Sequence, residues 1–550
     1  MKGTLLLSAL LASHLFGVTL NDINGKPASR EKNFLIWQFL HQDINASDAS
    51  DAFYQIDSVN ERFLADYAKK TDELEIRYTV ECLQKPLTAL KSIEEDDCLM
   101  LALSPAKAQE LRNDERETIA ARLETRFANL EWLRTMNQEY HFGTGSDLKS
   151  SLKLFLITTP PYRQEHFNHL IDEDTLSTLT ALSGFNQLVY LTATDPKMDQ
   201  LQYSLAKVSG GSYDSMTHFY LAVNALKYGR NDNALYHLQE AKKKVKSPME
   251  KDKVTFWLYR LTRDESTLQE LAESLDINMY TLYAKERFGI ETENYFTTLP
   301  TSRRGGFRGD EPFEWNRLHR EIVATPPEKL YQLVERYEGE ESLAVQAYMI
   351  ERVYQPYVHN FTMPYEPYLE GVNNEQKAMI YALMRQETQM IPGLISRSFA
   401  LGLMQIMPFN VDAIAKNHPL KITSYNDMFD PKYNIPYAIE HLKHIEKNLF
   451  NPVFMAYAYN GGIGFTKRLI MSEGMFLPGE YEPFMSMELV GNAESREYGK
   501  RVLANYVIFK KILGEKVSIS AIFDTLTQPS RSDYFRAEAL KISQGPSQTE

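Results

Sequence analysis

The stretch ALMRQETQM, residues 382–390, carries a single carboxylate, Glu387, among methionines and other apolar residues. Ile380, Leu383, Met384 and Glu387 fall at i, i+3, i+4 and i+7, which sets that carboxylate on the apolar face of a helix. The helix can start at Asn373, with Gln376 three residues on as a capping pair. A carboxylic acid held there, near the negative end of the helix dipole, keeps its proton more tightly because desolvation and the dipole both disfavour the anion. A carboxyl still protonated near neutral pH is what a general acid requires. The helix alone leaves a second reading open, a glutamate that reaches a basic partner at a domain edge. Soon after it, LGLMQIMP at 401–408 supplies a glycine-led turn bearing Gln405.

Other constellations that could do chemistry are weaker. His441 and His444, like His166 and His169, stand at i, i+3 without a third ligand or an H-E-x-x-H frame, so they read as histidines on solvated faces and no metal is expected. A G-x-S-x-G elbow and a Walker lysine are both missing, and no organic cofactor is implied. Tyr425, Tyr433, Tyr457, Tyr459 and Tyr481 are first aromatic core and second candidates to stack on sugars. Met384, Met390, Met404 and Met407 are first a packing layer. DINAS, residues 43–47, offers Asn45 as a glycosylation acceptor.

The elements that must position Glu387 come from a chain of 550 residues, 43% hydrophobic, which is long enough for several domains with large cores. Its net charge of −13 argues against a nucleic-acid binder with a broad basic face. The acidity is uneven, with 19 Lys/Arg against 18 Asp/Glu from Gly371 onward and 41 against 55 before it. The N-terminus, MKGTLLLSALLASHLFGVTLNDIN, reads as a cleaved secretory signal over residues 1–18, too short an apolar run for a membrane span. It holds no cysteine for a lipid, and no other segment suits stable membrane insertion. The only cysteines, Cys82 and Cys98, could close a short disulfide loop in an exported chain, or remain two buried thiols.

From residue 19 to about 360 the periodicity is helical, predicting an all-α superhelix of stacked hairpins. Its clearest unit is residues 216–244, where small residues, Gly229 and a second amphipathic run make a hairpin of tetratricopeptide type. TSRRGGFRGD at 301–310 reads as a flexible connector, since phosphate cradling would need a following Lys-Ser/Thr. Residues 516–550 form a tail ending in SQGPSQTE, expected to be disordered.

Five blocks give the region 361–515 a family context. These are ALMRQE with Glu387, ISRSFALGLMQIMP at 395–408, FDPKYNIPYAIEHLKHI at 429–445, MAYAYNGG at 455–462 and MELVGNAESREYGKRVL at 487–503. In this order they resemble the catalytic domain of the soluble lytic murein transglycosylases, and the helical region before them resembles that family's ring-forming superhelix. The resemblance implies a lysozyme-like α domain in which Glu387 is the single acid/base. It implies that Ser396, Gly402, Leu403, Met404 and Gln405 lie along the glycan groove. Tyr459 would orient the acid, Asn460 would line the sugar site, and Glu494, with Arg496 and Tyr498, would belong to a late motif at the cleft. The chain departs from the family pattern at Phe399 and Gly461, where a glycine and an alanine are usual, at Ala438 and His441 in place of a glycine and a tyrosine, and at Ile463 in place of a proline.

One carboxylate suffices if the substrate supplies the rest. The 2-acetamido group of N-acetylmuramic acid can stabilise charge at C1, and its C6 hydroxyl can replace water as nucleophile. The resemblance therefore implies non-hydrolytic cleavage of peptidoglycan glycan strands to 1,6-anhydro ends in the periplasm. Two alternatives stay open on the residues, a lysozyme-like hydrolase and a non-enzymatic murein-binding scaffold. Cell-wall synthesis or division proteins are candidate partners of the superhelix.

Overall fold

In the computed structural model, which describes residues 17–138, 141–143, 145–302 and 304–544, the chain is helical nearly throughout. The one sheet among the described residues pairs Tyr295–Phe296 in parallel with His359–Asn360. Of the expected leader, only Gly17 and Val18 are among the described residues. No described helix is long and apolar enough to cross a membrane. Helix Tyr534–Gln544 takes in the first two residues of the SQGPSQTE tail, and the remainder lies outside the described residues.

The chain packs as two compact units, residues 1–85 with 295–444 and residues 86–294 with 445–550. Each unit draws on both sides of residue 360, because helices on either side of that point bury apolar faces against partners far away in sequence.

In the first unit, helices Arg30–Leu40 and Glu61–Ala68 supply Phe34, Trp37 and Phe63. Their rings lie 5.4, 5.6 and 5.8 Å from that of Phe399. Phe34 also meets Tyr425 at 6.4 Å and Phe429 at 6.5 Å. Burying each such ring is worth roughly 1.5–3 kcal/mol, so this cluster ties the first helices to the 395–430 segment. Asn45 is exposed and caps helix Ala46–Phe53, accepting from the Asp48 amide at 2.8 Å and donating to its carboxylate at 2.9 Å. A glycan on that amide nitrogen would displace the second bond.

The 301–310 segment is seated rather than free. Phe307 donates its amide to Ser342 Oγ at 2.7 Å, Gly393 donates to the Gly309 carbonyl at 2.7 Å, and Arg308 reaches Asp310 at 3.1 Å and Asp430 at 3.4 Å. A Cβ at Gly339 would stand 2.0 Å from the Gly305 carbonyl oxygen, so the backbones touch where side chains cannot fit.

In the second unit the predicted hairpin forms as helices Ser215–Lys227 and Asn231–Lys244, with Gly229 at φ +68° in the turn. Ala222, Ala225, Leu226, Ala234, Leu238 and Ala241 are buried between them and their neighbours. Helices Pro248–Thr262, Glu265–Ala272 and Met279–Phe288 continue the array, and Gly289 closes the last at φ +65°. Neither Cys82 nor Cys98 is a free thiol. His166 and His441 are only part-exposed, and burial lowers the pKa of both, so neither sits on a fully solvated face.

Candidate active site

Glu387 stands in the last turn of helix Asn374–Thr388. The Asn373 side chain caps this helix by accepting from the Gln376 amide at 2.9 Å. Ile380, Leu383 and Met384 are fully buried along one stripe, while Glu387 at its end is half-buried. The helix stops sharply because Gln389 and Met390 adopt φ of +51° and +71°. Both flanks of the last turn are fixed. On one, Arg385 donates to the Asn360 carbonyl at 2.7 Å, pairs with Glu351 at 2.5 Å and stacks over Phe361 at 4.4 Å. Glu351 is 2% exposed; burial alone would raise its pKa, but Arg385 and then His359 hold it below the ordinary carboxylate range. On the other flank, Thr388 Oγ1 donates to the Leu403 carbonyl at 2.9 Å, which joins the helix end to the LGLMQ turn.

That turn is built by its own backbone. Leu401 and Ile406 exchange amide hydrogen bonds at 3.0 and 3.1 Å, and Gly402 at φ +69° makes the corner. A Cβ at Gly402 would lie 2.1 Å from the Met428 carbonyl oxygen, so only glycine fits. Gln405 donates its side-chain amide to the Leu394 and Gly402 carbonyls at 3.1 and 2.8 Å. Ser396 Oγ accepts from the amides of Ala400 at 2.9 Å and Ser398 at 3.2 Å. Leu403 and Met404 have no exposed surface, so the turn can offer a ligand their backbone and not their side chains.

Two functional positions carry no assignment from sequence. Asn434, fully buried, accepts from the Met404 amide at 2.9 Å and donates to the Leu401 and Met428 carbonyls at 2.9 and 2.8 Å, using its whole amide to hold the turn. The available signal was Asn434 standing one residue before the apolar Ile435 in helix Pro431–Glu446. Phe399 holds its backbone at φ +67°, in the left-handed region that favours glycine, and is 4% exposed. The aromatic cluster on its ring offsets that strained conformation.

The second unit holds the remaining candidates. Tyr459 and Asn460 end helix Pro452–Gly461, both half-buried. Asn460 donates to Glu494 Oε1 at 3.0 Å and accepts from Ser495 Oγ at 2.6 Å. Helix Ala493–Ile512 approaches closely because Gly499 faces Tyr457, where a Cβ would come within 2.2 Å of the ring. Glu494 is exposed, but Arg496 and Tyr498 are only 3% and 5% exposed. Arg496 donates to the Val490 carbonyl at 2.9 Å and Tyr190 Oη at 3.3 Å and lies over the rings of Tyr190 and Tyr220. Nearby, buried Lys500 pairs with Glu488 at 2.5 Å and Glu497 at 3.2 Å. Burial works to raise the Glu497 carboxyl, yet Lys500, Lys253 and Arg496 together hold it well below its usual range. Arg496 thus supports the helix that carries Glu494. Among the described residues no group of three or more His, Cys, Asp or Glu is placed to hold a metal ion.

Comparison with known proteins places residues 369–477 against the transglycosylase SLT domain. The soluble lytic murein transglycosylase of Escherichia coli K12 is 26% identical over 183 residues, covering 32% of this chain and 28% of that protein. Membrane-bound lytic murein transglycosylase C of Pectobacterium atrosepticum is 33% identical over 109 residues, covering 18% of this chain and 30% of that protein. The matched region thus spans less than a third of either relative's length. Among solved structures, an inactive mutant of lytic transglycosylase Slt from Pseudomonas aeruginosa has a TM-score of 0.48 at 14% identity, over 91% of this chain and 88% of that one. The 70 kDa soluble lytic transglycosylase of Escherichia coli has a TM-score of 0.45 at 15% identity, over 94% and 93%. Glu387, the Ser396–Gln405 turn and the Tyr459–Asn460 pair all fall within the matched residues, so this chain carries a transglycosylase SLT domain.

Proposed function

We propose that this protein is a peptidoglycan lytic transglycosylase, exported through a cleaved leader and acting on murein strands in the periplasm. The observation that carries the reading is Glu387 itself, one half-buried carboxyl on a helix end fixed by Arg385 and Thr388, in an SLT domain. Glu387 gives its proton to the glycosidic oxygen as the C1–O4 bond of N-acetylmuramic acid breaks, with the acetamido carbonyl stabilising charge at C1. The same carboxylate then takes the proton of that sugar's C6 hydroxyl as O6 bonds to C1. The product is a 1,6-anhydro end, no water is consumed, and the acid is regenerated. Tyr459, Asn460 and Glu494 contact the glycan, and the Ser396–Gln405 turn presents backbone groups to it. The helical hairpins serve as scaffold for strands and for cell-wall synthesis or division partners.

The test is release of soluble fragments from purified murein by the full chain and by Glu387→Gln. Loss of an acid/base of this kind lowers the rate about 10²–10⁴-fold. A variant within a few-fold of wild type would remove Glu387 from the chemistry.

A further inference from the structure

Helix Ala493–Ile512 carries Glu494, which holds Asn460, and directly after it three charged side chains that turn inward. Arg496 and Lys500 are buried, and Glu497 is half-buried between them, 3.2 Å from each. Gly499 lies in the same turn against the ring of buried Tyr457, two residues before Tyr459. A helix that removes so much charge from water keeps its place only where partners neutralise that charge, because a desolvated ion without a partner is strongly destabilising.

Several of those partners come from the helical array upstream. The rings of Tyr190 and Tyr220 lie 5.3 and 5.5 Å from the Arg496 guanidinium, and the charge of Lys253 helps to hold Glu497 ionised. The counter-ion of Lys500 is Glu488, which is fully buried. Its Oε2 takes the Lys500 ammonium at 2.5 Å. Its Oε1 accepts from Tyr280 Oη at 2.5 Å and from Trp257 Nε1 at 3.4 Å, and both rings are buried. Burial and the Glu488 charge push the Tyr280 hydroxyl well above its ordinary pKa, so it remains a donor. One oxygen of Glu488 is thus held by the helix that carries Glu494, and the other by helices Pro248–Thr262 and Met279–Phe288 of the array. In a site of this polarity the bonds of a network reinforce one another, and loosening one loosens the next.

Resting on the murein reading, we infer that Tyr280, with Trp257 beside it, is a positioning residue for the glycan. Tyr280 fixes Glu488, Glu488 fixes Lys500, and Lys500 sets the helix from which Glu494 reaches Asn460. The helical array then does more than carry strands or partners: it completes the sugar site from behind, through residues that no ligand touches.

The test uses the full chain carrying Glu387→Gln, titrated by calorimetry with a peptide-free murein tetrasaccharide, and the same chain with Tyr280→Phe, with Glu494→Gln and with both. Tyr280→Phe keeps the ring and its packing and removes one donor to Glu488. It weakens the tetrasaccharide about fivefold or more, within the range of coupling between groups of one network. In the Glu494→Gln background most of that loss disappears, because Tyr280 acts through the residue already changed. Parent affinity in Tyr280→Phe, or two losses that multiply in full, overturns the inference. Amide hydrogen exchange without ligand is the second readout. Tyr280→Phe speeds exchange over residues 496–500 and leaves helix Asn374–Thr388 unchanged, whereas an equal change in both segments, or none in either, overturns the inference. A tetrasaccharide that fails to bind the parent chain sinks the murein reading, and the exchange pattern then decides by itself whether Tyr280 positions this helix.

Discussion

Phe399 should respond to substitution in an order opposite to most buried phenylalanines. Its ring is 4% exposed among Phe34, Trp37 and Phe63, and removing a packed phenylalanine to alanine costs about 3–5 kcal/mol. Its backbone sits at φ +67°, where alanine keeps the left-handed strain of roughly 1–2 kcal/mol and glycine does not. Phe399→Gly should therefore be the more stable of the two variants by about 1 kcal/mol, although it removes more side chain. Urea unfolding of both variants and wild type, followed by tryptophan emission, reads the order directly, since Trp37 lies 5.6 Å from the deleted ring. Murein cleavage should fall in both, because the ring is what ties the Ser396–Ala400 turn to the N-terminal helices. An alanine variant at least as stable as glycine would refute the strain argument. Wild-type activity in both would refute the claim that these helices position the turn.

Asn434→Ala removes the side-chain acceptor of the Met404 amide and the donor to the buried Met428 carbonyl, at about 1–3 kcal/mol each, while the Leu401 carbonyl keeps the Ile406 amide, and should lower both stability and turnover. Asn434→Asp should not rescue it, because an acceptor then faces the Leu401 and Met428 carbonyls; aspartate performing like asparagine in thermal unfolding and cleavage assays would contradict the assigned geometry. Glu482 carries a pH dependence. Burial pushes its carboxyl from 4.5 up to about 7, against hydrogen bonds from Ser486 and the charge of Arg260. Between those values the folded chain holds a proton that the unfolded chain has released, so stability falls as pH rises through that window and levels off above it. Glu482→Gln should match wild type near the lower end and exceed it by up to about 3 kcal/mol above neutrality in denaturant titrations. A gap that stays constant with pH would dismiss the assignment.

Local patterns in the sequence carried a good part of this molecule. The apolar stripe ending at Glu387, the Asn373 cap and the hairpin around Gly229 follow from spacing alone, because helices form by interactions within a few residues. What failed was long-range. Phe399 stands out in sequence, but the rings that compensate it come from residues 34, 37 and 63. The resemblance set Arg496 in a late motif at the cleft, and nothing local in the sequence announces the two tyrosines far upstream whose rings lie against its guanidinium. The glycines of 301–310 suggested freedom, whereas here they allow backbone to lie against backbone. Residue 360 marks a change in pattern but not in packing, since both units span it.

The central claim is that Glu387 returns the C6 hydroxyl, and not water, to the anomeric carbon. Digestion of purified murein by the wild-type chain in heavy-oxygen water, followed by mass spectrometry of the fragments, tests this most directly. The account predicts anhydro ends that are one water lighter than reducing ends, carry no heavy oxygen and vanish with Glu387→Gln. Reducing ends labelled with heavy oxygen, equally dependent on Glu387, would contradict it and make the protein a hydrolase.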